Sequence, residues 1–171
     1  QGVAPWNVLA ITFTNKAAGE MRERVAQLNT PAGATVSTFH ALCARLLREL
    51  AGEVGLQPNF SIYDRNDQLK VVKDIMGDLD LKTGNMTPGQ VHGTISKAKN
   101  DLLTAEEFSR DANDFYGRNV APIYRAYEKT LAENNALDFD DLLLRMAFLM
   151  RERPDIRQML SQRYRYILID E

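Results

Sequence analysis

"YRYILIDE", residues 164–171, decides how the rest of this chain is read. Ile167, Leu168 and Ile169 form a continuous apolar run, and Asp170 and Glu171 follow as adjacent carboxylates. Such a run suits a strand of a parallel sheet, covered on both faces. The plain reading of two acids at a chain end is a solvated terminus. The three residues before them fit that poorly, because an apolar strand rarely hangs loose at a terminus. In open α/β sheets chemistry gathers outside the carboxyl ends of the strands, and this acid pair would stand there.

An apolar strand ending in Asp-Glu has the form of a Walker B element. There the Asp serves Mg²⁺ and the Glu polarises an attacking water. Its usual partner is missing: the sequence has no Gly-Lys dipeptide and therefore no G-x-x-x-x-G-K-[ST] phosphate loop. The chain opens on "QGVAPWNVLA", with Gln at residue 1 and no charged segment leading into an apolar one, so nothing reads as a secretory signal. Both ends look cut, and the expectation is an excised piece of a longer protein.

The 171 residues are 44% hydrophobic and 26% charged, ordinary for a globular chain with a real core. No apolar stretch reaches the roughly 18 residues that span a bilayer. One cysteine excludes an internal disulfide, and one Cys with two separated His makes no zinc site. A cytoplasmic location is the expectation. A net charge of −2 argues against a strong autonomous nucleic-acid binder, but not against a local contact strip.

Residues 7–13, "NVLAITF", read as a buried strand. A helix follows, capped by Thr14 or Asn15, with Ala18, Met21, Val25 and Leu28 on one face. Residues 34–39, "ATVSTF", form a second short strand, and "HALCARLLREL" continues as a helix with Cys43 in its apolar stripe. From residue 61 the periodicity is helical almost to the end. Leu69, Val72, Ile75, Met76 and Leu79 make one stripe. Thr87-Pro88 starts another helix, Thr104 with Glu107 is a capping box, and Pro122 is expected in the first turn of a further helix. The outline is strand–helix, strand–helix, a helical block, then a strand: an α/β chain, mainly α, with the block inserted between strands of a partial parallel sheet.

Two segments echo each other, "ITFTNKAA" and "VSTFHALC". Each runs from an apolar strand through Thr-Phe into a helix, which puts Thr12-Phe13 and Thr38-Phe39 at the carboxyl ends of neighbouring strands. Helix N-termini there suit phosphate oxygens, and an exposed Phe offers a face on which a base can stack. The plainer alternative is that both Phe are core residues. His40, at a helix start, could donate to a phosphate. "DFDD" places Asp138, Asp140 and Asp141 together; capping and an acidic first turn fit them better than a metal does. The basic run at 151, 153, 157, 163 and 165 reads first as a solvated helix face.

These residues carry a family resemblance. "VAPWNVLAITFTNKAAGEMRERV" (3–25) resembles motif Ia of the UvrD/PcrA/Rep group of superfamily 1 DNA helicases, and "VSTFHALCARLLR" (36–48) resembles their motif Ib region. "FSIYDRNDQ", "ISKAKNDLL" and "LDFDDLLLR" are similar to their helical 1B subdomain, and "YRYILIDE" to the start of motif II. The resemblance covers essentially the whole chain, in family order and spacing.

It implies a RecA-like, P-loop NTPase subdomain 1A over residues 1–39 and 165–171, with subdomain 1B over 40–164. The parent would be an ATP-driven helicase that moves 3′ to 5′ on single-stranded DNA and opens 3′-tailed duplex, using ATP and Mg²⁺. Repair or replication proteins would be its partners, with no membrane. By resemblance, Phe13, Thr14, Asn15, Thr38, Phe39 and His40 contact the single strand, Asp170 serves Mg²⁺ and Glu171 is the catalytic base. Without the phosphate loop and the later motifs, these residues alone are expected to be inactive. Two alternatives stand beside this: the motor of a RecB/AddA-type helicase–nuclease, and a helical protein-interaction module.

Overall fold

The apolar run Val8–Thr12 forms the central strand, β1, of a three-stranded parallel sheet. The computed structural model describes residues 2–28, 33–79 and 86–170. After β1 come α1 (Asn15–Gln27), β2 (Thr35–Thr38), α2 (Phe39–Glu49), β3 (Ser61–Ile62) and α3 (Arg65–Asp78). Then follow α4 (Pro88–Asn100), α5 (Ala105–Asp111), α6 (Phe115–Glu133), β4 (Ala136–Leu137), α7 (Phe139–Glu152), α8 (Pro154–Arg163) and β5 (Tyr166–Asp170). The chain is mainly helical with a small parallel sheet. It divides into two compact units, one of Gln1–Val54 with Arg145–Glu171 and one of Gly55–Leu144.

In the sheet unit the strand order is β2-β1-β5, and both pairings are parallel. Thr12 is in register with Thr38 on one side and Asp170 on the other, so all three carboxyl ends share one rim. Leu9, Ala10, Ile11 and Thr12 are buried, as a central strand requires. β5 departs from the sequence expectation of a strand covered on both faces: Ile167, Leu168 and Ile169 are 57%, 61% and 60% exposed. β5 is the outer strand. Backbone pairing to β1 holds it on one edge but shields neither face.

Helix α1 starts where Thr14 Oγ1 accepts from the Ala17 amide at 3.1 Å. Of its expected apolar face only Ala18 is buried, and Leu28 is largely exposed. Helix α2 is capped in the same way, with Thr38 Oγ1 accepting from the Ala41 amide at 3.3 Å, and it buries Leu42, Cys43, Leu46 and Leu47. Burial pushes the Cys43 thiol up to about 11, as expected of an inert core cysteine. Arg45 donates to the Tyr164 hydroxyl at 3.1 Å and Arg163 to Glu49 at 2.9 Å, which ties α2 to the residues that lead into β5. Arg163 pairs with Glu49 and Arg153 with Glu53 and Asp155, so these two members of the basic run are engaged in ion pairs, largely with acids distant in sequence.

The helical unit is built on caps that the sequence announces. Asp64 with Asp67, Thr87 with Gln90 and Thr104 with Glu107 each form reciprocal capping boxes at α3, α4 and α5. The core gathers Val72, Val91, Val120, Ile123, Tyr124 and Leu131, all fully buried, each aliphatic contributing roughly 1.5–3 kcal/mol. Pro122 is not in a first turn: α6 begins at Phe115, where Asp114 Oδ1 accepts from the Gly117 amide at 2.6 Å, and Pro122 lies inside the helix. The missing proline N–H removes one helical bond, and burial of Val120, Ala121, Ile123 and Tyr124 around it outweighs that loss. A two-residue parallel ladder joins β3 to β4 within the expected all-helical block. Asn135, at φ 44°, turns the chain into it and accepts from the Ser61 amide at 3.0 Å.

Candidate nucleic-acid interface

The rim formed by the carboxyl ends of β1, β2 and β5 collects most of the residues singled out in the sequence. Because Thr12 and Thr38 are in register, the next residues, Phe13 and Phe39, leave neighbouring strands side by side. Their rings meet at 5.1 Å between centroids with a 40° tilt. Phe13 is 64% exposed and Phe39 half-buried, so Phe13 at least is not a core residue. Thr14 and Thr38 cap α1 and α2, and each helix turns the positive end of its dipole to the rim. Asn15 is exposed as the first residue of α1, and His40 is half-buried as the second of α2. Asp170 ends β5 on the same rim, exposed and in register with Thr12. Glu171 lies outside the described residues.

Sequence reading passed over one neighbour here. Lys16 sits in the first turn of α1 with its side chain 87% exposed, 4.0 Å from Glu20. Thr12 is 2% exposed at the centre of the register. A cation one turn from a helix N-terminus was the available signal for Lys16. The place of Thr12 at the strand end is the one the Thr-Phe pattern gives, and the pairing with Thr38 and Asp170 fixes it there.

The "DFDD" acids lie in the helical unit and do other work. Asp138 Oδ1 accepts from the Asp141 amide at 2.7 Å and Asp141 Oδ2 accepts from the Asp138 amide at 3.1 Å, a reciprocal cap at the start of α7. Asp140 accepts from Ser96 and Asn100 of α4. Between them lies Lys99, 1% exposed, whose Nζ stands 2.7 Å from Asp138, Asp141 and Glu128. Tyr127 donates to Asp138 Oδ2 at 2.9 Å, whereas Glu128 Oε1 is off the hydrogen-bonding direction. Burial pulls the Lys99 pKa down, but Asp141, Glu128 and Asp138 outweigh it and hold the ammonium charged. Burial is also the largest influence on Asp141 and pushes its carboxyl up to about 7 against the pull of Lys99. His92 meets Gln68 Oε1 at 2.6 Å, and burial lowers its pKa. Among the described residues no group of three or more His, Cys, Asp and Glu could hold a metal ion, and no helix is long and apolar enough to cross a membrane.

A model of the UvrD/REP helicase N-terminal domain matches residues 1–171, the whole chain. The chain belongs to the UvrD/REP helicase N-terminal domain family. Over 171 residues it is 44% identical to the ATP-dependent DNA helicase PcrA of Bacillus subtilis, covering 99% of this chain and 23% of that protein. It is 40% identical to PcrA of Staphylococcus epidermidis, covering 99% of this chain and 24% of that one, and 40% identical to PcrA of Staphylococcus aureus, covering 99% and 23%. This UvrD/REP-type chain therefore spans 23–24% of the length of these relatives.

Proposed function

We propose that the chain is part of the motor of a UvrD/PcrA-type helicase that moves 3′ to 5′ on single-stranded DNA at the expense of ATP and opens 3′-tailed duplex. In this reading the sheet unit is a partial RecA-like subdomain 1A, and the helical block between β2 and β5 is an inserted subdomain 1B. The chain supplies a single-strand contact strip (Phe13, Thr14, Asn15, Thr38, Phe39 and His40) and the Walker B pair Asp170 and Glu171. Nucleotide phosphates are held by a P-loop outside these 171 residues, and the protein works in the cytoplasm alongside repair or replication proteins.

The carrying observation is the exposed Phe13 ring beside Phe39, set between two capped helix N-termini on one rim. Base stacking needs a free aromatic face and backbone phosphates need N–H groups, and this rim offers both. Asp170 supports the nucleotide half of the reading. It is an exposed hard-oxygen donor at a strand's carboxyl end, and Mg²⁺ is commonly held by one or two carboxylates with substrate phosphates and water. When bound, the ion supplies charge neutralisation at the phosphates. Asp170 would hold the ion, and Glu171 would accept a proton from the attacking water. Relatives 40–44% identical over this segment are named as ATP-dependent DNA helicases, which favours this reading over a nuclease-linked motor or an interaction module.

The test is the affinity of the full-length protein for oligo-dT. Phe13→Ala is expected to cost about 1–3 kcal/mol, the usual worth of one base–aromatic stack. Unchanged affinity in a variant with a parental melting temperature would remove Phe13 from the strip.

A further inference from the structure

Resting on the single-strand reading above, we infer that Phe39 is a positioning residue: it backs the Phe13 ring, and the pair takes a single unpaired base on the outward face of Phe13, not a base slotted between the two rings. The ring centroids stand 5.1 Å apart. A base between two rings needs two stacking steps of ~3.4 Å, about 7 Å in all. The 40° tilt also denies a flat base two parallel faces. The slot is closed, and the free aromatic surface belongs to Phe13, which is 64% exposed.

Phe39 is placed for backing. Its backbone is fixed on both sides, by the Thr12–Thr38 register between β1 and β2 and by the Thr38 cap at the start of α2. Phe13 differs in burial: it follows Thr12 of the same register and precedes the Thr14 cap of α1, yet it is 64% exposed where Phe39 is half-buried in α2. It lies in a bend rather than in a helix, so its ring is the less constrained of the two. A lone exposed ring would lose rotamer freedom on stacking, typically about 0.5–1.5 kcal/mol per ordered side chain in an interface. A ring already leaning on Phe39 has lost part of that freedom. Within the contact strip, Phe39 thus raises affinity chiefly through the Phe13 ring. The platform accepts any base, because every base has a π-face.

The experiment is a double-mutant cycle in the full-length protein, read as affinity for oligo-dT carrying one 2-aminopurine at successive positions. Phe39→Leu is expected to weaken binding roughly 2- to 10-fold, the fold-change of one lost aromatic pair, while Phe13 is present. With Phe13→Ala in the background the same change has no effect, within the scatter of non-interacting sites. Quenching of 2-aminopurine is strong at one position only, and both single variants relieve it there. Phe39→Tyr keeps the ring and restores binding, which a general loss of packing would not predict. Losses from Phe13→Ala and Phe39→Leu that multiply, quenching at two adjacent positions, or failure of the Tyr variant to rescue would each overturn the positioning role. Phe13→Ala alone leaving affinity unchanged would instead overturn the single-strand reading on which it rests. Circular dichroism melting of each variant keeps misfolding apart from all of these outcomes.

Discussion

Lys99→Met is the sharpest perturbation of the helical unit. Met keeps an unbranched apolar stem and deletes the ammonium, leaving Asp138, Asp141 and Glu128 facing a site where one charge had stood 2.7 Å from each. Removing one partner of a buried ion pair costs about 3–5 kcal/mol, because the remaining charge stays buried and uncompensated. Domains of this size are stable by only about 5–15 kcal/mol, so the loss is a large share of the whole.

The pH dependence separates this account from simple loss of packing. Burial raises the Asp141 carboxyl to about 7, so between pH ~4 and ~7 the folded chain holds a proton that the unfolded chain releases. Stability from this group therefore falls as pH rises through that window, by roughly 4 kcal/mol at most. His92 runs the other way: burial lowers its pKa, so its contribution is lost as pH falls below about 6.5. Comparing mutant with parent at each pH largely removes the His92 contribution. Without Lys99 the carboxyl is held neutral more firmly, and acid relieves the uncompensated charge. Urea unfolding followed by circular dichroism should show a deficit of about 3–5 kcal/mol near pH 7.5 that shrinks by at least ~1 kcal/mol near pH 5. An equal deficit at both pH values, or one below ~1 kcal/mol at neutral pH, would refute the reasoning.

Tyr127→Phe deletes the 2.9 Å donation to Asp138 and should cost about 1.5–3 kcal/mol by urea unfolding, the range for a hydrogen bond to a charged group. Cys43, with its thiol pushed up to about 11 by burial, should react slowly with a thiol reagent near pH 8 in the folded chain and at the ordinary rate in urea. In the full-length protein Glu171→Gln should retain ATP binding and lose about 10²–10⁴-fold in single-turnover hydrolysis, the usual worth of a general base. Asp170→Asn should weaken Mg²⁺-dependent nucleotide binding as well.

Much of the rim was legible because its signals are local. Thr-Phe at a strand end followed by a helix start is a short pattern, and Thr14 and Thr38 cap as their type and place predict. The capping boxes at Thr87 and Thr104 are equally local. Burial was less legible. Ile167, Leu168 and Ile169 read as a covered strand, since an apolar run states what a segment favours and not what lies beside it. Pro122 misled for a related reason. Proline is commonest in a first turn, but tertiary packing of its neighbours can hold it deeper in a helix, and Asp114 was the cap to look for.

Lys99 shows where single-sequence reading stops. In "ISKAKNDLL" it falls among ordinary polar residues, and nothing local separates it from Lys97 two positions earlier. What makes it the buried centre is the meeting of α4 with Glu128 and Tyr127 of α6, Asp141 of α7 and Asp138 just before α7. The "DFDD" acids were readable as a cap and an acidic first turn, and Asp138 with Asp141 caps α7 while Asp140 stands in its first turn. The pair that caps α7 also receives the lysine, because a capping carboxylate has lone pairs left after the backbone N–H is satisfied. A buried ammonium needs several such acceptors at once. A helix start crowded with acids is among the few places in a helical unit that can provide them. The second use of "DFDD" thus follows from the first once α4 packs beside it, and the Lys99→Met measurement reports on that step.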